Sequence, residues 1–166
     1  MATVGTTSDQ MPVDMNASKF NHAYMTFQGV TQEMNQFQNG QALTGQQNNT
    51  PETLQEDYGG GAHFYDSNAK SGQITLNFID NSYWDTILGN IYHIEHDNLT
   101  PESVKNSFVH VTYKNDLTGK SMVGEYGRIT KMPNQTMNNT VSDVAWVISF
   151  AKYDVDWGNS NAFSSN

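Results

Sequence analysis

The chain has 166 residues, no cysteine and a formal net charge of −9 at pH 7. This length suits a single domain, and the absence of thiols excludes disulfides and thiolate metal sites. Its eight Lys and Arg residues are scattered, which argues against binding to nucleic-acid phosphates. No apolar run is long enough for a membrane helix.

The first part of the chain predicts an arm followed by strands. Residues 1–18 are polar and include Pro12, so we expect an arm without structure of its own. They lack the basic start and apolar stretch of a secretory signal, which favours production and retention in a cytoplasm. Residues 19–28 are rich in aromatic side chains and predict a first strand, and the following residues allow a second strand ending at the turn signal Asn39–Gly40.

Residues 43–70 predict a long loop, with at most one helical turn after Pro51, because they contain turn residues and little periodicity. Loops of this length in a compact domain are usually functional or disordered. The aromatic and histidine side chains in this segment should be buried, and a second subunit could cover them. They are Tyr58, His63, Phe64 and Tyr65.

Residues 71–80 give the clearest strand in the sequence, because polar and apolar residues alternate. This pattern predicts one face packed against an apolar layer, the dry face, and one face exposed to water, the wet face. The dry face contains Ile74, Leu76 and Phe78, and the wet face contains Gln73, Thr75 and Asn77.

A helix of about three turns should follow this strand at once. Asn81 or Ser82 can cap it, and the apolar residues Trp84, Ile87 and Leu88 fall at helical spacing. Gly89 predicts a break or strain in this helix. The next segment, "NLTPES", predicts a turn.

The segment "YKNDLTGKSMVGEY" contains a Gly-Lys-Ser triplet that resembles part of a phosphate-binding loop. Such a loop needs a glycine where this chain has Lys114, and it must open a helix, whereas the residues after Ser121 have no helical spacing. A hairpin explains the segment better. "FVHVTYK" and "KSMVGEYGRITK" would pair on either side of the bend "NDLTG".

Residues 141–157 predict a long last strand with Trp146, Ile148 and Phe150 on one face, and residues 162–166 form a tail. Together the elements predict a mainly β domain over residues 19–161, an antiparallel sandwich or barrel with one flanking α-helix.

Residue patterns for catalysis or metal binding are weak. His93 and His96 stand one helical turn apart, but the spacing of a zinc protease and a third ligand are missing. Their place near a helix end, where positive charge is favoured, is the simpler explanation. No nucleophile elbow or catalytic carboxylate pair is present. The sequence therefore predicts a protein that is not an enzyme and has no cofactor or metal.

The order of segments resembles the inner tail tube proteins of contractile-tailed bacteriophages. In that family a strand of the kind "SGxIxLxL" precedes a helix that starts with a polar residue, and a late hairpin, a loop with Pro and polar residues and a last strand with Trp follow. The matching pieces here are "FNHAYMTFQGV", "SGQITLNFID" with "NSYWDTILGNI", "TGKS" with "GRITKMPNQT", and "VAWVISFAKYDVDWGNSN". The long Gln/Asn-rich loop and the start of the chain depart from the family.

The resemblance implies a hexameric ring whose subunits join their sheets into a β-barrel around a channel. Stacked rings would form the tube of a virion tail, assembled in the host cytoplasm. The implied partners are further copies of this chain, the tail sheath, the baseplate and the tail terminator. DNA would pass through without specific binding, along a channel lined by Gln73, Thr75 and Asn77, and residues 43–70 would contact the next ring.

Two other interpretations stay open at this point. A different tube-like subunit of the tail or baseplate has the same sequence features. A carbohydrate-binding β-sandwich also fits a polar, aromatic-rich chain, with Tyr65, Tyr83 or Trp157 as stacking platforms.

Overall fold

The computed structural model describes residues 18–97, 100–137, 139–140 and 142–158. The predicted arm, apart from residue 18, and the predicted tail 162–166 lie outside the described residues. A short 3-10 helix, Ser18–Phe20, precedes the regular elements. These are β1 (Asn21–Phe27), β2 (Val30–Glu33), β3 (Leu43–Gln47), β4 (Glu52–Glu56), β5 (Ala62–Asp66), β6 (Gly72–Ile79), α1 (Tyr83–His96), α2 (Pro101–Asn106), β7 (Val109–Asn115), β8 (Ser121–Lys131) and β9 (Asp143–Asp156).

Seven strands form one antiparallel sheet in the order β2-β1-β7-β8-β9-β6-β3, and β4 pairs with β5 in a separate hairpin. The prediction of a mainly β antiparallel domain with one main helix is confirmed. The sheet is sandwich-like and does not close into a barrel, so β2 and β3 are its two edges among the described strands.

The core lies between the apolar face of this sheet and α1. Leu76 pairs with Trp146 and Ile74 with Ile148 across β6 and β9, and all four side chains are buried. Phe78 stacks on Trp84, the first buried residue of α1, with ring centroids 6.4 Å apart. The other residues expected to pack here are Leu88 and Phe150, which are buried, and Ile87, which is partly buried against the core.

Helix α1 begins as the sequence indicates, because Ser82 caps it and accepts a hydrogen bond from the Asp85 amide at 3.3 Å. The helix has 14 residues and continues through Gly89, so the predicted break is wrong. Tertiary packing explains the difference. Leu88 and Ile91 beside the glycine are buried, and this burial outweighs the intrinsic cost of one glycine, about 1 kcal/mol.

The prediction of a structureless loop over residues 43–70 is also wrong. β3 pairs with β6 in the main sheet, and β4 and β5 follow Pro51, where we expected a helical turn. Short polar strands of this kind carry little local signal, because their pairing partner rather than their own pattern decides their conformation.

Helix α2 begins at Pro101, within the segment "NLTPES" for which the sequence predicts a turn. Thr100 caps it through a reciprocal pair of hydrogen bonds: the Ser103 amide donates to Thr100 Oγ1 at 3.1 Å, and the Thr100 amide donates to Ser103 Oγ at 2.8 Å. With Pro101 at the first helical position, this is a common sequence signature of a helix start.

The hairpin of β7 and β8 is confirmed, and the phosphate-loop alternative is excluded because a strand follows Ser121. Asn115 Oδ1 shapes the bend by accepting hydrogen bonds from the amides of Leu117 and Thr118, and Gly119 adopts a positive φ of 75°. In the part of the chain that the structure describes, no helix has the length and apolar character needed to cross a membrane.

Candidate functional site

The polar face of β6 is an uncharged row of amide and hydroxyl groups. Gln73, Thr75 and Asn77 are partly exposed and alternate with the buried residues of the strand. Gln73 stands between Gln46 and Ser149 of the neighbouring strands. Asn77 donates a hydrogen bond to the Gln41 carbonyl at 2.8 Å, so its side chain is partly committed within the chain. That this row lines a channel stays a prediction.

Farther along the sheet, the surface becomes acidic. A shallow groove of about 200 Å³ runs along β8 and β9, and its lining includes Glu125, Asp154 and Asp156. Lys152 also lines the groove, but its ammonium group lies 3.7 Å from Glu125 and so is paired within the chain. The remaining carboxylates leave this surface negative.

The two edge strands expose backbone groups to which another chain can pair. Every residue of β2 is exposed, and β3 pairs only with β6 among the described strands. An open edge presents a row of free N–H and C=O groups, which makes it a template for a strand of a second molecule.

The hairpin of β4 and β5 extends from the sheet with all ten strand residues exposed. Leu54 stands opposite Phe64, which is 72% exposed, and Thr53 stands opposite Tyr65 on the other face. A two-stranded hairpin without further packing is marginally stable in water. Apolar side chains grouped on such an element indicate a contact surface.

The tip of this hairpin is held in one shape. The Gly61 amide donates to Asp57 Oδ1 at 2.8 Å, and Asp57 Oδ2 lies 3.5 Å from His63 Nε2. Tyr58, next to this aspartate, is fully exposed. The predicted inter-ring residues Tyr58, His63, Phe64 and Tyr65 therefore all lie on one projecting element. Their contact with a second ring stays a prediction.

A buried acid that the sequence analysis missed joins α1 to β8. Glu95 is fully buried, and its Oε2 accepts a hydrogen bond from the Ile129 amide at 2.9 Å. Its Oε1 is buried without a hydrogen-bond partner. Burial raises the pKa of this carboxyl to about 7, although the Ile129 amide, Arg128 and His96 act in the opposite direction. Glu95 follows Leu88 and Ile91 at helical spacing, a signal that could have placed it on the buried side of the helix.

The two histidines beside this acid have separate partners. His93 Nδ1 lies 3.1 Å from Asp97 Oδ2, whereas His96 Nε2 lies 3.0 Å from the Ile129 carbonyl oxygen. Among the described residues, no group of three or more His, Asp or Glu side chains could hold a metal ion.

The aromatic residues that a sugar could stack on are exposed but lie on separate elements. Tyr65 is on β5, Tyr83 begins α1 beside an apolar groove next to β1 and β2, and Trp157 follows β9. Trp157 lines a different groove, next to β3, and Lys120 lies 4.3 Å from its ring centroid.

Comparison of the sequence with family models and with curated proteins gives no match. Comparison of the structure with solved structures gives several. A cryo-EM structure of the anti-feeding prophage cap, which terminates the tube, has a TM-score of 0.55 and 12% sequence identity, and the match covers 93% of this chain and 100% of that chain. This chain shares that fold.

Two further structures have the same fold. A chain from the six-fold symmetrised baseplate of the anti-feeding prophage matches with a TM-score of 0.58 at 10% identity, over 87% of this chain and 97% of that one. The sheath/tube terminator of an extracellular contractile injection system, PVC, in its extended state matches with a TM-score of 0.53 at 10% identity, over 88% of this chain and 99% of that one.

Proposed function

We propose that this chain is a structural subunit of a contractile tail or a related injection system, and that it acts by assembly rather than by catalysis. The observation that carries the proposal is the fold shared, over nearly the whole length of both chains, with components of such assemblies. The described residues also combine two open sheet edges with an exposed hairpin that carries Leu54, Phe64 and Tyr65, a combination that suits a subunit covered by its neighbours.

Within that role, the inner tail tube is the function that we propose. Six copies would form a ring in which the edge strands β2 and β3 contact adjacent subunits, so that the sheets continue around a barrel. Joining open edges between copies would remove the exposed backbone that otherwise leads to uncontrolled pairing. The hairpin of β4 and β5 would reach the next ring, and sheath, baseplate and terminator proteins would be the other partners in the virion tail.

The polar face of the sheet suits a conduit for DNA. Gln73, Thr75 and Asn77 carry no charge, and the groove beside Asp154 and Asp156 is negative. A surface of this kind offers few cations to which the phosphates of a moving DNA strand could adhere, and the chain as a whole carries a net charge of −9. DNA would therefore pass without specific binding.

Electron microscopy of the purified chain tests the proposal. We expect six-membered rings or hollow filaments in negative stain and a matching large species in size-exclusion chromatography. A compact single copy at every concentration, together with retention on a glycan column, would reject the proposal in favour of a carbohydrate-binding module. Rings that never stack would favour a terminator or baseplate subunit over the repeating tube.

A further inference from the structure

A cavity of about 610 Å³ opens where β7 begins and β8 bulges. Its aromatic lining consists of Phe108, His110 and Tyr126. The Tyr126 ring meets the other two edge to face, with centroids 5.9 Å from Phe108 and 5.2 Å from His110. Tyr126 has a positive φ of 56° and remains 55% exposed, so the bulge presents this ring to an incoming group.

The cavity also carries an available positive charge. Lys105 lines it from α2, and the described lining residues include no carboxylate. Two other lysines are paired with carboxylates, because Lys114 lies 3.7 Å from Asp116 and Lys152 lies 3.7 Å from Glu125. No ion pair of Lys105 occurs among the described residues.

The hairpin tip has the complementary chemistry. Glu56 and Asp57 bring two carboxylates beside the fully exposed ring of Tyr58, and the hairpin strands add Glu52 and Asp66 but no Lys or Arg. Because the chain carries a net charge of −9, a second copy as a whole repels this acidic element. A cavity with aromatic walls and a lysine can instead attract the carboxylates and the aromatic ring of the hairpin tip.

We propose that the tip of the hairpin in one copy, at Asp57 and Tyr58, inserts into the cavity of Lys105, Phe108 and Tyr126 in a second copy. Tyr58 would pack against the aromatic walls, and the carboxylates beside it would face Lys105. The tip does not fill the cavity of its own chain, because Tyr58 is fully exposed. This docking rests on the proposed assembly of copies and names the surface that receives the hairpin.

Crosslinking between copies tests the contact directly, since the natural chain contains no cysteine. One preparation carries Tyr58→Cys, and another carries Asn106→Cys at the cavity rim. After the two are mixed and allowed to assemble, oxidation should give a crosslinked dimer on a non-reducing gel. The matched control replaces the second variant with Asn90→Cys on α1, and it should give little crosslink. Equal crosslinking of both pairs, or none in assembled material, overturns the proposal.

Charge reversal provides an independent measurement. Lys105→Glu should raise the protein concentration needed for half-maximal assembly by about tenfold. Adding Glu56→Lys, which leaves the Asp57–Gly61 hydrogen bond intact, should restore much of the loss, whereas Lys131→Glu should have little effect. If the wild-type chain assembles and Lys105→Glu assembles equally well, this docking is wrong while the proposed function stands. If the wild-type chain never assembles, the proposed function itself fails.

Discussion

Glu95 Oε2 lies 2.9 Å from the Ile129 amide nitrogen, so a single buried carboxylate connects the end of α1 to β8. His96 and Arg128 are the basic side chains near it. His96 Nε2 is 3.9 Å from Glu95 Oε2, and Arg128 donates to the Glu95 backbone carbonyl. Neither interaction prevents burial from raising the pKa of this carboxyl from 4.5 to about 7.

This raised pKa predicts a pH-dependent stability. Between pH 4.5 and about pH 7, the folded chain keeps the Glu95 proton that the unfolded chain releases, so the free energy of unfolding should fall as the pH rises through this range. Glu95→Gln removes the titrating carboxyl group. The free energy of unfolding should then fall less between pH 5 and pH 8, by an amount on the order of 1–3 kcal/mol. Denaturant unfolding at pH 5 and pH 8 measures the difference. Glu52→Gln, at an exposed site, is the control, and an equal effect of both variants would contradict the prediction.

A second prediction concerns the hairpin of β4 and β5. Replacing residues 52–66 with a short Gly-Ser linker should leave the folded subunit intact, because among the described strands β4 and β5 pair only with each other and all their residues are exposed. β3 must be retained, since it pairs with β6 in the main sheet. The melting temperature should change little, while stacked tubes should be lost in electron micrographs.

The pair Leu54→Ser and Phe64→Ser separates side-chain contacts from chain length in the hairpin experiment. These changes keep the hairpin and remove the apolar pair on one of its faces. We expect them to weaken stacking, and the same substitutions at Thr53 and Gln55 should not. Tubes of normal length from the deletion variant would reject a role for the hairpin between rings.

Elements specified by a local residue pattern could be predicted from the sequence, whereas elements specified by a distant pairing partner could not. β6 agrees with its prediction because polar and apolar residues alternate strictly over residues 73–78, which is a local signal. β3 reads "LTGQQ", which has no such pattern, and only its pairing with β6 makes it a strand. α2 begins with Thr100 and Pro101, which are frequent both at helix starts and in turns, so these residues alone do not decide between the two structures.

The candidate site likewise has features that are visible in the sequence and features that depend on the fold. The aromatic residues of the hairpin are visible in the sequence, and their burial against a second subunit stays a prediction, whereas the strands that carry them have no local signal. The cavity of Lys105, Phe108 and Tyr126 could not be predicted, because it depends on a bulge in β8 that brings Tyr126 beside residues distant in sequence. Such a bulge is specified by the register of neighbouring strands and not by a local motif.

The third prediction concerns the uncharged row on β6. Gln73→Lys together with Thr75→Lys should leave ring assembly intact, because both side chains are partly exposed on the sheet face away from the core. If the row lines a DNA channel, the added cations should retain phosphates and lower the infectivity of particles that carry the variant. Asn77 is left unchanged because its hydrogen bond to Gln41 also supports the fold. Thr86→Lys together with Asn90→Lys, at two exposed positions of α1, adds the same two charges elsewhere. Equal infectivity of the wild-type, test and control particles would contradict the channel assignment.

The last prediction tests the packing of β8 on β9. A Cβ atom added at Gly127 would lie 2.4 Å from the Phe150 ring, a distance that real Cβ atoms do not show. Phe150 is buried and cannot move aside without disturbing the core, so Gly127→Ala should destabilise the fold by about 1–3 kcal/mol.

At Gly89 in α1 the nearest atom to an added Cβ is 4.0 Å away, on Trp146. Gly89→Ala should therefore stabilise the chain by about 0.5–1 kcal/mol, because alanine loses less backbone entropy than glycine in a helix. Denaturant unfolding of the two variants measures both effects. Because the two substitutions are chemically identical, opposite signs can arise only from their surroundings, and a loss of stability at both sites would show that α1 lies closer to Trp146 than the structure indicates.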